Sequence, residues 1–409
     1  MSDRPSQLRV LALVMLPVAV FLERGVYYQF RSTFFLRAMD SGASLAEISK
    51  LMTTVGVWTG ILGYVLGGLL SLVRGHLAAL VGLALSLLGY LLMAVAPSGW
   101  AAAEVLTRLG SGCAMLGFFA ALAGVGSNLG QRVAGVALIL AAVNVGAFLG
   151  PLGATAAKVS PWLAYVGLVP MLLALVLLAV DWTFAASWER KHRPAESAID
   201  WVHALGVTGL VILAGLSCGP IDHFSSVSLF DSLRGSSGPV LVLAGLVPVV
   251  GPVLASVALG LAGLLAPRSV QPAPVTGAGL LCAGLGGGLG VAGSALGLGL
   301  LLWVSSFFGG LGTALVSALL LALLLGAFSR RWVGLGLFTY FAATQGVGGI
   351  FYVVGTLSPE AGLVVGGLSA GVALLLGAVA LISSKPLSAW LVKEPETQPE
   401  AESAAAERD

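Results

Sequence analysis

The stretch from Glu23 to Arg31 reads ERGVYYQFR and gathers one acid, two guanidiniums and two phenols inside an otherwise apolar run. On a helix Glu23, Tyr27 and Arg31 fall at i, i+4 and i+8 on one face, with Arg24 and Tyr28 on the adjacent stripe. Glu23 and Arg31 then stand ~12 Å apart along the axis, at 1.5 Å per residue. An ionisable side chain at mid-bilayer costs roughly 2.5–3.5 kcal/mol on insertion scales, so this face is expected to line a central cavity. There a carboxylate can carry a proton, and guanidiniums can receive an anion. A plainer arrangement, ion pairs that only lock helices together, uses the same residues.

Further polar groups are candidates for the same cavity. Arg108 follows Glu104 by one helical turn; the two can satisfy each other as an i,i+4 pair, or Arg108 can face the cavity and exchange partners with Glu23. Asp222 and His223 lie towards the outer end of a later apolar run, where water can reach them or where Asp222 can pair with Arg31 as an outer gate. Asn144 opens the string NVGAFLGPLG, whose Gly146 and Gly150 permit close helix packing and whose Pro151 favours a bend. Trp303, Ser305, Ser306, Tyr340, Gln345 and Tyr352 are the neutral polar and aromatic groups of the second half, with Trp303 and Gln345 taken as substrate contacts.

The elements that must position these residues follow from composition. The chain has 409 residues, 58% hydrophobic and 9% charged, with a mean hydropathy of +1.00. A soluble domain carries about 25% charged residues, so a water-facing surface cannot be covered. The apolar runs are long and continuous, which indicates helices and not a membrane barrel. Charges, prolines and glycines divide them into spans at 8–37, 45–72, 77–96, 100–127, 132–157, 161–184, 201–229, 238–266, 275–293, 297–327, 333–357 and 360–383. The break between the ninth and tenth is the least marked, because Gly286, Gly287, Gly288 and Gly290 punctuate the region and no charge does. Arg4 and Arg9 before an apolar stretch also fit a signal peptide, but the apolar pattern runs well past the usual length and shows no clear cleavage site.

These spans predict an all-α integral membrane protein: a bundle over 1–184, a cytoplasmic linker over 185–200, a second bundle over 201–392 and a disordered cytoplasmic tail over 393–409. Placing the N-terminus in the cytoplasm puts Arg4, Arg9, Arg74, Arg132, Arg190, Lys191, Arg193, Arg268, Arg330, Arg331, Lys385, Lys393 and Arg408 on that side. Arg37, Lys50, Lys158 and Arg234 fall outside, and Arg24, Arg31 and Arg108 lie within spans. The excess of cytoplasmic cations supports an even number of spans with both termini inside. A faint repeat pairs Phe30 and Ser32 with Phe224 and Ser226, and AAVN at 141–144 with AATQ at 342–345. It relates helices six apart, as in two halves turned about an axis along the membrane normal. That is the major facilitator superfamily fold, with twelve transmembrane helices in two six-helix halves. The intramembrane charges are expected in spans 1, 4 and 7, with none inside spans 8 to 12.

The string ERGVYYQFR resembles the first-helix motif E-x-x-E-R-F-x-Y-Y-G-x-R of the proton-dependent oligopeptide transporters. Glu23, Arg24, Tyr27, Tyr28 and Arg31 match its second glutamate, arginine, two tyrosines and final arginine. NVGAFLGPLG is similar to that family's fifth helix, and Arg108 with Gly112 to the superfamily's R-x-x-x-G of helix 4. The detailed likeness covers about the first 160 residues. The departures are specific. Val20 replaces the motif's first glutamate, Met115 stands near the helix-4 lysine, and Ser71 takes the place of the loop aspartate. No acid stands near Phe308, Gly309 and Gly310, where the family receives a peptide's amino terminus. The 185–200 linker is also too short for the two extra helices of many bacterial members.

The resemblance implies a proton-coupled symporter of small peptides or peptide-like carboxylates in a bacterial inner membrane. Taken with the polar groups read from the spans, Glu23, Arg24 and Arg108 are expected to couple protons, and Arg24, Tyr27, Tyr28, Arg31, Asn144, Trp303 and Gln345 to contact substrate. Proton-driven efflux of drugs or metabolites fits the glycine-proline pattern as well. A non-transporting scaffold or partner subunit fits the acid-free second half. Enzymatic chemistry is not expected: there is no HExxH spacing and no nucleophile–base pair. Cys113, Cys218 and Cys282 lie in apolar runs and suit neither a disulfide framework nor a metal site, and no cofactor is implied. The expected partners are protons, a small-molecule substrate and the bilayer around a monomer, without excluding a partner subunit. A net charge of +2 gives no reason to invoke nucleic acid.

Overall fold

A computed structural model describes residues 13–30, 42, 43, 47, 51, 55–124, 128–159, 168–191, 199–232, 238–268, 270–346 and 358–392. The apolar runs become helices: α1 over 13–30, α2 Gly56–Ser71, α3 Gly75–Val95, α4 Trp100–Ala121, α5 Leu129–Val159 and α6 Leu168–Lys191. After the polar interior stretch come α7 Trp201–Ser232, α8 Gly238–Leu265, α9 Pro272–Leu296, α10 Gly299–Ala327, α11 Val333–Phe341 and α12 Pro359–Ile382. A short helix α13, Ser384–Leu391, closes the described chain. Eight of the described helices are long and apolar enough to cross a membrane. With the apolar composition this makes the chain an integral membrane protein.

Local chemistry sets the ends. Pro272 sits in the first turn of α9, where its missing N–H costs nothing. That helix runs straight through Gly286, Gly287, Gly288 and Gly290 and stops at Gly297, whose φ of 66° is the left-handed conformation glycine favours. The break between the ninth and tenth spans is therefore a cap, and the glycine cluster before it is a packing surface. Ser358 caps α12 by accepting from the Ala361 amide at 3.3 Å, with Pro359 beginning the helix. Helix α6 continues beyond Ala185 to Lys191, so the polar stretch 185–200 starts as helix.

Glycine lets the helices approach almost backbone to backbone. A Cβ on Gly82 of α3 would run into the Ala114 backbone of α4, and one on Gly117 into the Ala79 backbone. In the second half Gly286 of α9 meets the Gly309 backbone of α10, and Gly312 meets Ala283. Between hydrocarbon-solvated helices, packing of this kind replaces the hydrophobic driving force that water would supply.

The two halves meet along α2 with α11 and along α5 with α8 and α10. Gly68 and Ser71 abut Gly334, while Gly130 abuts Pro267 and Gly263. These contacts lie beside Arg74, Arg132, Arg268 and Arg331, so the halves are drawn together at the end that the charge count assigns to the cytoplasm. Deeper in, Phe341 of α11 stacks on Tyr64 of α2 at 4.9 Å with an 11° interplanar angle, and lies 5.6 Å from Phe119 of α4.

The faint repeat is not structurally symmetric. AAVN lies within the continuous helix α5, whereas AATQ forms a π segment, Ala342–Gly346, directly after α11. Thr344 of that segment fits against Gly215 and Gly219 of α7, and Gly346 against Ile61 of α2. A π segment widens the helix by one residue per turn and often marks a working position.

Gly82→Ala is expected to destabilise the folded protein by about 1–3 kcal/mol through overpacking. Gly288→Ala, with open space where the methyl would go, is expected to be neutral or to stabilise by up to ~1 kcal/mol. Thermal unfolding of the purified variants reads the contrast; equal melting temperatures would contradict it.

Candidate functional site

The acid and arginine of the first motif are adjacent in sequence and paired with each other. Arg24 Nε donates to Glu23 Oε2 at 2.6 Å and its Nη2 to Glu23 Oε1 at 3.2 Å, so both carboxylate oxygens are occupied by one guanidinium. Glu23 is wholly buried and Arg24 nearly so. The Arg24 Nη2 also reaches α4, donating to the Ser111 hydroxyl and, at 3.4 Å, to the Ser111 carbonyl. The guanidinium carbon lies 4.9 Å from the centre of the Tyr27 ring, a cation–π distance. Tyr27 and Tyr28 meet edge to face at 5.2 Å.

What holds this face in place is the glycine string of α5. A Cβ on Gly146 would strike Arg24 and the backbone of Phe21 and Gly25, and one on Gly150 would strike Tyr28 and the backbone of Gly25 and Gln29. The NVGAFLGPLG element is thus a close-packing seat for α1, as its i,i+4 glycines indicate. Asn144 at its start donates to the Leu140 carbonyl at 2.8 Å, one turn back in its own helix.

Arg108 is bonded to Glu104, Nε to Oε1 at 2.7 Å, as the i,i+4 spacing allows. It also lies within electrostatic reach of Tyr27 and Tyr28. Arg108 therefore borders the α1 cluster while its acid comes from its own helix and not from Glu23. Two phenols not singled out from the sequence complete the group. Tyr64 of α2 feels Arg24 and Arg108, and Tyr90 of α3 feels Glu23 and Glu104. Tyr90 also packs its ring on Phe30 at 4.7 Å. A tyrosine in the middle of a long apolar run is the available signal for both, since a buried phenol hydroxyl needs a polar neighbour. Ser111 has only the small-residue string RLGSG to announce it.

The remaining candidates are Trp303, Gln345, Arg31 and Asp222. Trp303 is half-buried against Leu229 and Leu302, and Gln345 is exposed in the π segment. Arg31 lies outside the described residues. Asp222 is on the α7 backbone, but its side chain is outside the described part, so the Arg31–Asp222 gate is not visible.

One buried polar pair runs against the expectation that ionisable groups are confined to spans 1, 4 and 7. Asp181 of α6 is buried and its Oδ2 lies 2.8 Å from Nε2 of His76, in the first turn of α3. Asp181 is inconspicuous in the sequence because it stands three residues from a span end, where polar groups usually reach water. Here the pair ties α3 to α6 near the contact between the halves. Among the described residues no three His, Cys, Asp or Glu side chains converge as a metal site would require.

No protein-family profile matches the sequence, and no curated protein does. Solved structures do match in shape. The chain is similar to the human organic anion transporter MFSD10 (TETRAN), with a TM-score of 0.69 over 91% of this chain and 99% of that one, at 16% identity. It is similar to the major facilitator proton:xylose symporter XylE, with a TM-score of 0.68 over 92% of this chain and 95% of that one, at 15% identity. The chain thus has the major facilitator fold.

Arg24→Ala strands the Glu23 carboxylate without a partner and is expected to cost about 3–5 kcal/mol. The double variant Glu23→Ala/Arg24→Ala, which strands nothing, should recover much of that loss. Melting temperatures of the three proteins at neutral pH test this; a double variant no more stable than Arg24→Ala would contradict the coupling.

Proposed function

We propose that the chain is a secondary active transporter, a proton-coupled symporter of small peptides or related organic carboxylates, working by alternating access. The observation that carries this reading is the buried Glu23–Arg24 pair with its bridge to Ser111, set in a major facilitator fold. A pair that only locked helices would not need a second acid–arginine pair, Glu104–Arg108, and two phenols beside it. The names of the similar structures, an organic anion transporter and a proton symporter, agree with this chemistry.

The proposed cycle begins with the halves closed at the cytoplasmic end, where Gly68 meets Gly334 and Gly130 meets Pro267. A substrate carboxylate entering from outside competes with Glu23 for Arg24, whose fork geometry suits two oxygens. Once released, Glu23 is a carboxylate in a site of low dielectric without its counter-ion, and it takes a proton from the outer side. The buried charge is then neutral overall, and the halves can rock. Tyr27, Tyr28 and Arg108 line the first half of the site, Trp303 and Gln345 the second, and Arg31 with Asp222 closes the outer mouth. The missing acid near Phe308 disfavours strict dependence on a peptide amino group, so other carboxylates belong in the substrate class. The proposed setting is a bacterial inner membrane with both termini in the cytoplasm.

Thermal-shift screening of di- and tripeptides against other organic acids identifies the substrate for proteoliposome assays. Wild-type protein is expected to accumulate it down an inward proton gradient. Glu23→Gln should abolish that accumulation while leaving substrate counterflow intact. Uphill accumulation by Glu23→Gln would overturn the assignment.

A further inference from the structure

Glu23 and Glu104 are both buried, but their oxygens are not equally engaged. Both Glu23 oxygens accept from Arg24. Glu104 gives only Oε1 to Arg108; its Oε2 is sealed from solvent and, among the described residues, meets no donor. A buried carboxylate oxygen without a hydrogen bond is costly and calls for an occupant. Sealed from solvent, Oε2 has no room beside it for water or an ammonium group, whereas a proton needs none. The Tyr90 hydroxyl of α3 is likewise buried and, among the described residues, without a partner, and it lies within electrostatic reach of both Glu104 and Glu23.

We propose that Glu104 is a second proton-accepting carboxylate of the carrier and that its protonation releases Arg108 to receive the substrate anion. The proposal rests on the transport reading above. A proton from the outer aqueous side bonds to Oε2, and the carboxylate becomes a neutral acid with no change in oxidation state. Arg108, until then neutralised by Glu104, becomes an uncompensated cation of the site, and a further anionic group of the substrate, beyond the carboxylate on Arg24, restores charge balance. The proton leaves when substrate departs and Arg108 returns to Glu104.

The groups that set the local field come from each packed element: Glu23, Arg24, Tyr27 and Tyr28 from α1, Tyr64 from α2, Tyr90 from α3 and Arg108 from α4 itself. Tyr340 of α11 donates to Ser317 of α10 at 2.6 Å.

Infrared difference spectroscopy during a pH titration of the purified full-length protein, without substrate or gradient, reads protonated carboxyl groups directly. The wild type should show a carboxylic-acid stretch that Glu104→Gln loses and Glu23→Gln keeps. A spectrum unchanged in Glu104→Gln would overturn the proposal. If Glu104→Gln does not fold, Glu104→Asp must move the frequency of that stretch, and an unmoved band would overturn it equally. Because nothing is transported in this measurement, a failure of the transport reading would appear in proteoliposomes and leave this result standing.

Discussion

Burying a full charge in hydrocarbon is the constraint around which the first half is built. Glu23 and Arg24 meet it by being adjacent and pairing through two contacts, with Ser111 taking a further donor of the guanidinium. That bond reaches from α1 to α4, so the ion pair fixes the two helices that carry most of the candidate site. Arg108 meets the same constraint on α4 by pairing with Glu104. Each arginine is thus neutralised by a neighbour along its own helix and not by an acid from the opposite half. In the proposed cycle a competing carboxylate reorganises it.

Glycine makes the arrangement possible. Gly146 and Gly150 bring α5 against the backbone of α1 at Phe21, Gly25 and Gln29, which orients the Glu23–Tyr28 face. Gly82 and Gly117 do the same between α3 and α4, the helices that carry Tyr90 and Glu104. The aromatic stack of Phe341 on Tyr64 then joins this cluster to the second half. In the proposed cycle, the contacts at Gly68–Gly334 and Gly130–Pro267 are the edge on which rocking of the halves acts.

Much of this is legible in the amino-acid sequence, for physical reasons. The cost of intramembrane charge makes Glu23, Arg24 and Arg108 conspicuous, and the i,i+4 glycines identify α5 as a packing element. The all-helical membrane fold follows from the long continuous apolar runs. Other features have no local signature. Asp181 stands near a span end, and its pairing with His76 depends on how α3 and α6 meet. Ser111, Tyr64 and Tyr90 matter only through tertiary neighbours. The π segment at Ala342–Gly346 has the same kind of sequence as its regular counterpart in α5, and Thr344 seated on Gly215 and Gly219 sets it apart. For Arg108, two partners are open by spacing, and the geometry selects Glu104.

The central claim is that the buried acid–arginine cluster exchanges a proton when it exchanges a carboxylate. It is tested most directly in proteoliposomes of wild-type protein that enclose a pH-sensitive dye, when a stabilising carboxylate from the thermal-shift screen is added outside. Acidification of the lumen in step with substrate entry is the predicted result. Substrate entry with no movement of protons would contradict it.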